Sequence, residues 1–235
     1  RDLHSFPTRR SSDLKMGREI RSLISQDPKL KFAGGISRKD DRKEGIFSAP
    51  EKLEGTVDVV VDFSSAEGFS KLLAWAVKNK TPFVSGTTGL SAAQKKELQA
   101  AGKKIPVFWA PNTAPGVQIL KKILGALNIP EAFDVQLIEY HHKMKKDKPS
   151  GTAIMLQDEL GKKRKNLPEP ISIRGGGIFG IHRVELMSAG ERIVIEHEAL
   201  GRQLFAQGAL DAALWLRSQK PGLYDMNDFL QKEVL

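Results

Sequence analysis

Apolar and polar positions alternate along this chain with two different periods. Near-continuous apolar runs occur at Val57–Phe63, Pro82–Ser85 and Pro106–Trp109, the pattern of strands buried on both faces. Between them, Ala66–Lys78 and Ser91–Ala101 place their apolar residues at helical spacing. A helix start is read at Lys15-Met16-Gly17-Arg18-Glu19-Ile20, a break at Gln26-Asp27-Pro28, and a short strand with two glycines at Leu30–Ile36. Strands that alternate with helices in this way predict an α/β fold with a parallel sheet covered on both sides.

The second half changes character. A helix over Val117–Leu127 follows Gly116, and Phe133, Val135 and Leu137 then alternate with Asp134 and Gln136 as in a strand with one buried face. A helical segment, Ala153–Leu160, and strand-like runs at Ile171–Ile173, Gly180–Met187 and Ile193–Ala199 predict an α+β unit with a mixed sheet. An amphipathic helix over Phe205–Leu216 and the segment Leu223-Tyr224-Asp225-Met226 close the chain. Residues 1–14 show neither period and resemble a translated adapter read. They are expected to be foreign to the fold, so that a first strand and most of a Gly-rich loop before Lys15 are missing or replaced.

The most informative stretch runs from Glu139 to Ala153: Glu-Tyr-His-His-Lys-Met-Lys-Lys-Asp-Lys-Pro-Ser-Gly-Thr-Ala. It places two of the five histidines and four lysines between a strand and a helix start. Backbone N–H groups and the dipole at a helix start favour an anion, lysines bind carboxylate or phosphate as point charges, and imidazole moves protons near neutrality. Adjacent residues on a strand face opposite ways, so His141 and His142 need not both take part. Lysine-rich loops are more often plain solvated surface, and only the company of the histidines and the Pro-Ser-Gly-Thr turn argues for an anionic-substrate site.

Composition narrows the partners. The net charge is +9, but the dense basic clusters, 143–148 and Lys162-Lys163-Arg164-Lys165, carry no interleaved aromatics for base stacking. A small anionic molecule is therefore expected, and nucleic acid is not. No run reaches the ~18 apolar residues of a membrane span. The absence of cysteine removes disulfides, thiolate metal sites and Cys nucleophiles, and fits a reducing compartment. No metal site is expected.

In a parallel sheet ligands bind beyond the carboxyl ends of the strands, where three groups of residues fall. Lys15, Met16 and Gly17 look like the tail of a phosphate loop that opens a helix. Ser37, Arg38 and Lys39 end the second strand of the complete fold with cations and no carboxylate, which favours the 2′-phosphate of NADPH over NADH. Gly86, Thr87 and Thr88, with Ala110, Pro111, Asn112 and Thr113, lie where a nicotinamide and its ribose would meet the protein. Each of these is also a plausible turn or helix cap.

Taken together, Lys-Met-Gly-Arg-Glu (15–19), Val-Asp-Phe-Ser (61–64), Ser-Gly-Thr-Thr-Gly (85–89), Ala-Pro-Asn (110–112), the 139–153 stretch, Phe-Ala-Gln-Gly-Ala (205–209) and Gly-Leu-Tyr-Asp-Met (222–226) resemble the 4-hydroxy-tetrahydrodipicolinate reductase family of diaminopimelate and lysine synthesis. The resemblance spans about residues 15–235. It implies a Rossmann-like dinucleotide-binding domain (15–112 and 203–235) and a substrate and oligomerisation domain (113–202). It also implies NADPH, with NADH possible, a small dicarboxylate substrate, a cytoplasmic homo-oligomer (a tetramer) and no membrane association. By the same resemblance His141 does acid–base work, Lys145 donates a proton, His142 touches the substrate, and Gly151 and Thr152 bind its carboxylate. The run from Arg183 to Ala189 leads almost straight into Gly190-Glu191, shorter than the family's usual segment. The alternative is a catalytically impaired Rossmann-like domain with a structural or binding role.

Overall fold

The computed structural model describes residues 13–231. In chain order the elements are α1 (Asp13–Gln26), β1 (Gly35–Ile36), β2 (Ile46–Phe47), β3 (Val60–Asp62), α2 (Ala66–Lys78), β4 (Phe83–Ser85), α3 (Ala92–Gly102) and β5 (Pro106–Trp109). Next come α4 (Pro115–Ala126), β6 (Asp134–His141), α5 (Gly151–Gly161), β7 (Ile171–Arg174), β8 (Ile181–Met187) and β9 (Arg192–Glu198). The chain then runs through α6 (Gln203–Leu216), β10 (Gly222–Tyr224) and α7 (Met226–Leu230).

A parallel sheet has the strand order β10-β5-β4-β3. Successive side chains on its short strands go to opposite faces. Phe83 and Val107 pack with Phe69, Leu73 and Ala76 of α2 and Leu98 of α3, while Val84 and Phe108 pack with Ala209, Ala212, Ala213 and Leu216 of α6. Burying a side chain of this size is worth ~1.5–3 kcal/mol, which explains why these runs read as apolar throughout. The helix starts are capped as their sequences require. Ser65 Oγ accepts from Gly68 N at the start of α2, and Ser91 with Gln94 forms a capping box on α3.

The second sheet is mixed, with order β7-β6-β8-β9. β7 runs parallel to β6, while β8 and β9 add on antiparallel. One face buries Val135, Leu137, Val184 and Leu186 against Leu120 and Leu124 of α4 and Leu156 and Leu160 of α5. The opposite face carries Ile138, Tyr140, Ile171, Ile173, Ile181 and Val194, with no helix of the described residues over it, and Ile171, Ile173 and Val194 are exposed. The short Arg183–Glu191 segment is no obstacle: Ser188 N donates to Glu191 O at 2.9 Å and closes a tight β8–β9 hairpin.

One expectation needs correction. The strand expected over Leu30–Ile36 is confined to β1, which pairs in parallel with β2 and not with β3. Gly34, at a backbone φ of +151° with Leu53 pressed against it, breaks the extended run just before β1. Asp13 and Leu14, at the end of the segment expected to be foreign, form the start of helix α1, and residues 1–12 of that segment lie outside the described residues. No helix among the described residues is long and apolar enough to cross a membrane.

Candidate active site

β6 carries Glu139 and His141 on one face, two positions apart, and both are buried at its carboxyl end. Alternation puts them side by side, and the neighbouring β7 brings Arg174 opposite His141. Arg174 grips Glu139 through both carboxylate oxygens, Nη1 to Oε2 at 2.8 Å and Nη2 to Oε1 at 2.7 Å. The same Nη2 donates to the carbonyl of Asp147 at 2.6 Å. Ser150 N donates to Glu139 Oε1 at 3.2 Å, and His141 Nδ1 makes a short hydrogen bond to Oε2. One buried carboxylate thus organises His141, the following loop and the start of α5.

Burial alone would raise the Glu139 carboxyl, but the Arg174 and His141 contacts outweigh it and hold its pKa at about 2. Burial also dominates at His141. It pushes the imidazolium below its ordinary 6.5, reinforced by the charges of Lys145 and Arg174 and only partly opposed by Glu139. His141 is therefore neutral at pH 7, with its proton on Nδ1 toward Glu139 and Nε2 bare. His182, edge-on to His141 with ring centroids 5.3 Å apart, is pushed by burial to about 3. Its Nε2 lies 3.3 Å from Ser150 Oγ. A Cβ on Gly180 would sit 3.0 Å from His141 Nε2, at a backbone φ of +155°, so glycine alone leaves the ring its place.

The loop after β6 is pinned by His142 N to Ile178 O at 2.7 Å and Lys145 N to His142 O at 3.0 Å. Lys145 pairs with Asp147, Nζ to Oδ2 at 2.9 Å. Burial would raise the Asp147 carboxyl, and Lys145 brings it below its ordinary value. Ser150 caps α5, its Oγ accepting from Ala153 N at 3.1 Å. Gly151 is exposed and Thr152 half-buried in the first turn. His142 is half-buried; its pKa is lowered by burial first, then by the charges of Arg202, Lys145, Lys15 and Arg174.

The loops of the parallel sheet meet this region through Asn112, whose Nδ2 donates to Thr152 Oγ1 at 3.0 Å. Thr113 is buried and donates its hydroxyl to Phe205 O at 2.7 Å, which ties the loop to α6. Ala110 is buried and Pro111 exposed. Gly86 N donates to Asp62 O at 2.9 Å. The Thr87 hydroxyl is turned inward onto Asp62 Oδ2 at 2.8 Å, which also accepts from Ser85 Oγ at 2.8 Å, while Thr88 faces solvent. Lys15, Met16 and Gly17 lie within helix α1, where Met16 packs against the cluster of Leu23, Ala206 and Leu210. Ser37, Arg38 and Lys39 follow β1 on the small two-stranded sheet, apart from the strands that carry the other loops.

Sequence reading missed Glu139, Arg174, His182 and Asp62 as site residues. Glu139 was legible, since it shares a strand face with His141 and a carboxylate on a buried face needs a partner. Asp62, set within an apolar run, carried the same signal. Arg174 was not legible, because only the β6–β7 register brings it to Glu139.

The family profile described as "Dihydrodipicolinate reductase, N-terminus" matches residues 15–113, and that described as "Dihydrodipicolinate reductase, C-terminus" matches residues 116–230. The chain belongs to this family. A 4-hydroxy-tetrahydrodipicolinate reductase of Bdellovibrio bacteriovorus is 44% identical over 219 residues, covering 92% of each chain. One from Caldanaerobacter subterraneus is 36% identical over 238 residues, covering 93% of this chain and 95% of the other. Among solved structures, a dipicolinate-bound dihydrodipicolinate reductase from Paenisporosarcina sp. TG-14 superposes with a TM-score of 0.71 at 22% identity, over 94% of this chain and 96% of that one. At that identity the likeness speaks for the fold.

Proposed function

We propose that this chain reduces 4-hydroxy-tetrahydrodipicolinate to tetrahydrodipicolinate with a nicotinamide cofactor, in the cytoplasmic synthesis of diaminopimelate and lysine. Family membership supports the reaction. The observation that carries the mechanism is the buried Arg174–Glu139–His141 array beside the Lys145 loop and the start of α5. Residues 15–112 and 203–235 form the dinucleotide-binding unit in this reading, and 113–202 the substrate unit.

The residues fit a dinucleotide. The loops after β4 and β5 leave a parallel sheet at its carboxyl edge, and Thr87 is tied inward so that Thr88 and the backbone face outward. Gly86, Thr88, Ala110 and Pro111 would hold the nicotinamide end, with Lys15 and Gly17 toward the phosphates. Bound there, the cofactor supplies the hydride. Arg38 and Lys39 favour NADPH, as cations suit a 2′-phosphate; equal losses of NADPH and NADH affinity in Arg38→Ala would refute that preference.

The chain's own groups manage charge and protons. The substrate loses its 4-hydroxyl and a proton from the neighbouring ring carbon as water, which leaves a carbon–carbon double bond; hydride adds to one end of it, and the Lys145 ammonium, held by Asp147, donates its proton to the other. Neutral His141, its Nδ1–H fixed by Glu139, presents Nε2 as an acceptor that orients the substrate or its bound water. His141 thereby takes the acceptor's part of its expected acid–base work, and donation falls to Lys145. Gly151 and Thr152 at the start of α5 take one substrate carboxylate, and His142 borders the same space. The uncovered apolar face of the mixed sheet supports a homo-oligomer, a tetramer in this reading, built sheet against sheet.

Substrate-dependent oxidation of NADPH by the purified chain tests the proposal. The competing reading, a catalytically impaired domain with a structural role, predicts cofactor oxidation no faster with substrate than without it.

A further inference from the structure

Asn112 lies at the carboxyl end of the parallel sheet, where it was expected to serve the cofactor. Its hydrogen bonds point elsewhere. The backbone N–H of Ala114 donates to Asn112 Oδ1 at 2.9 Å, which fixes the orientation of the amide: the oxygen faces the start of α4 and the NH₂ faces away. That NH₂ donates to Thr152 Oγ1 at 3.0 Å. A threonine hydroxyl has one hydrogen and can accept at its remaining lone pairs. Because Asn112 Nδ2 can only donate, Thr152 Oγ1 is the acceptor of that bond and its own hydrogen must point elsewhere. Among the described residues that hydrogen meets no acceptor. Thr152 is half-buried in the first turn of α5, with the N–H groups of the helix start around it.

We infer that Asn112 is a positioning and specificity residue for the substrate: its amide polarises the Thr152 hydroxyl into an outward donor, aimed at a carboxylate at the start of α5. This rests on the proposed reductase reading and deepens it. A site in which hydroxyl and helix amides all donate accepts an anion that only accepts, and disfavours a carboxamide that presents its own N–H groups to them. The contact also joins the loop after β5 to the substrate helix, so the two halves of the site share one hydrogen-bonded link.

Asn112→Asp is the sharpest variant, because Asp keeps an oxygen for Ala114 N and removes only the donor to Thr152. The Thr152 hydroxyl then turns toward the new carboxylate, and the added negative charge opposes an anionic ligand. The probe is pyridine-2,6-dicarboxylate, an unreactive dicarboxylate, with its inhibition constant and the substrate KM measured beside the Kd of NADPH. Asn112→Asp and Thr152→Val should each weaken the dicarboxylate about tenfold or more, as loss of a hydrogen bond to a charged group does. The double variant should be worse than the poorer single by no more than about twofold, because both remove the same donor. The Kd of NADPH should stay within about twofold, and Thr152→Ser, which keeps the hydroxyl, should bind the probe more tightly than Thr152→Val. Multiplicative losses in the double variant would overturn the inference, as would a weaker NADPH complex with dicarboxylate binding unchanged in Asn112→Asp. If the unaltered chain neither reduces the substrate nor binds the probe, the reductase reading itself fails, which is a different result.

Discussion

At the scale of single residues, the fully buried Glu139 meets Arg174, His141 and Ser150. Glu139→Gln would leave the Arg174 guanidinium buried without its counter-charge, a loss of about 3–5 kcal/mol in stability. It would also release the His141 ring, with kcat falling by on the order of 10². Glu139→Leu combined with Arg174→Met should recover much of the stability in urea unfolding and none of the kcat, since apolar replacement of a buried pair is often close to neutral. Recovery of kcat in that double variant would show that the array only holds the fold together. The histidines give a second check. The His182 pKa falls from its ordinary 6.5 to about 3, and burial lowers His141 and His197 as well. Below pH 6.5 the unfolded chain takes up protons that the folded chain refuses, so stability is lost as the pH falls toward 3. His182 alone should contribute a loss on the order of 2 kcal/mol by about pH 5, and His182→Gln should flatten the urea midpoint against pH over that range. An unchanged slope would mean that His182 titrates normally. His141 itself was legible from its motif. Its neutral state was not, because that follows from burial and from the charges around it.

At the scale of elements, the helices Ala66–Lys78 and Phe205–Leu216 were read from their period to within two residues of their observed ends, and the apolar run Val57–Phe63 contains β3. The strand at Leu30–Ile36 was overread, because Gly34, at a backbone φ of +151°, leaves the ordinary extended conformation just before β1 and period alone does not show it. What period could not reveal is close approach between elements. On α6, a Cβ at Gly208 would lie 1.9 Å from the carbonyl oxygen of Thr113. Gly208→Ala must therefore push α6 away from the loop after β5, at a cost of about 1–3 kcal/mol. Chemical denaturation should show that loss, and a variant as stable as the parent would mean that the contact gives way freely.

For the whole molecule, the uncovered face of the mixed sheet is the feature least suited to a lone chain. Ile171, Ile173 and Val194 are exposed there beside Arg183 and Glu196, which pair across β8 and β9. The sheet-against-sheet assembly proposed above would cover this patch. Ile173→Glu should shift the protein to smaller species in sedimentation while leaving NADPH affinity intact. A parent chain that sediments as a monomer at micromolar concentration would contradict the assembly. One-sided alternation along β6 showed that one face of this sheet is buried. It did not show that residues such as Ile138, Ile171 and Ile173 line up on the other, because that depends on strand order and register. The same dependence hid Arg174 and the Asn112–Thr152 link, whose partners are separated by 40 positions in the chain.

In the proposed mechanism a Lys145 proton donor works beside a His141 fixed by Glu139, on a chain that binds a nicotinamide cofactor and reduces a cyclic dicarboxylate. Single-turnover oxidation of NADPH with saturating 4-hydroxy-tetrahydrodipicolinate tests it most directly, with the parent chain compared to Lys145→Ala. Oxidation by the parent should depend on the substrate, the Lys145→Ala rate should be lower by on the order of 10²–10⁴, and the NADPH Kd should be the same in both. A Lys145→Ala rate near that of the parent, or a parent whose NADPH oxidation does not depend on the substrate, would contradict it.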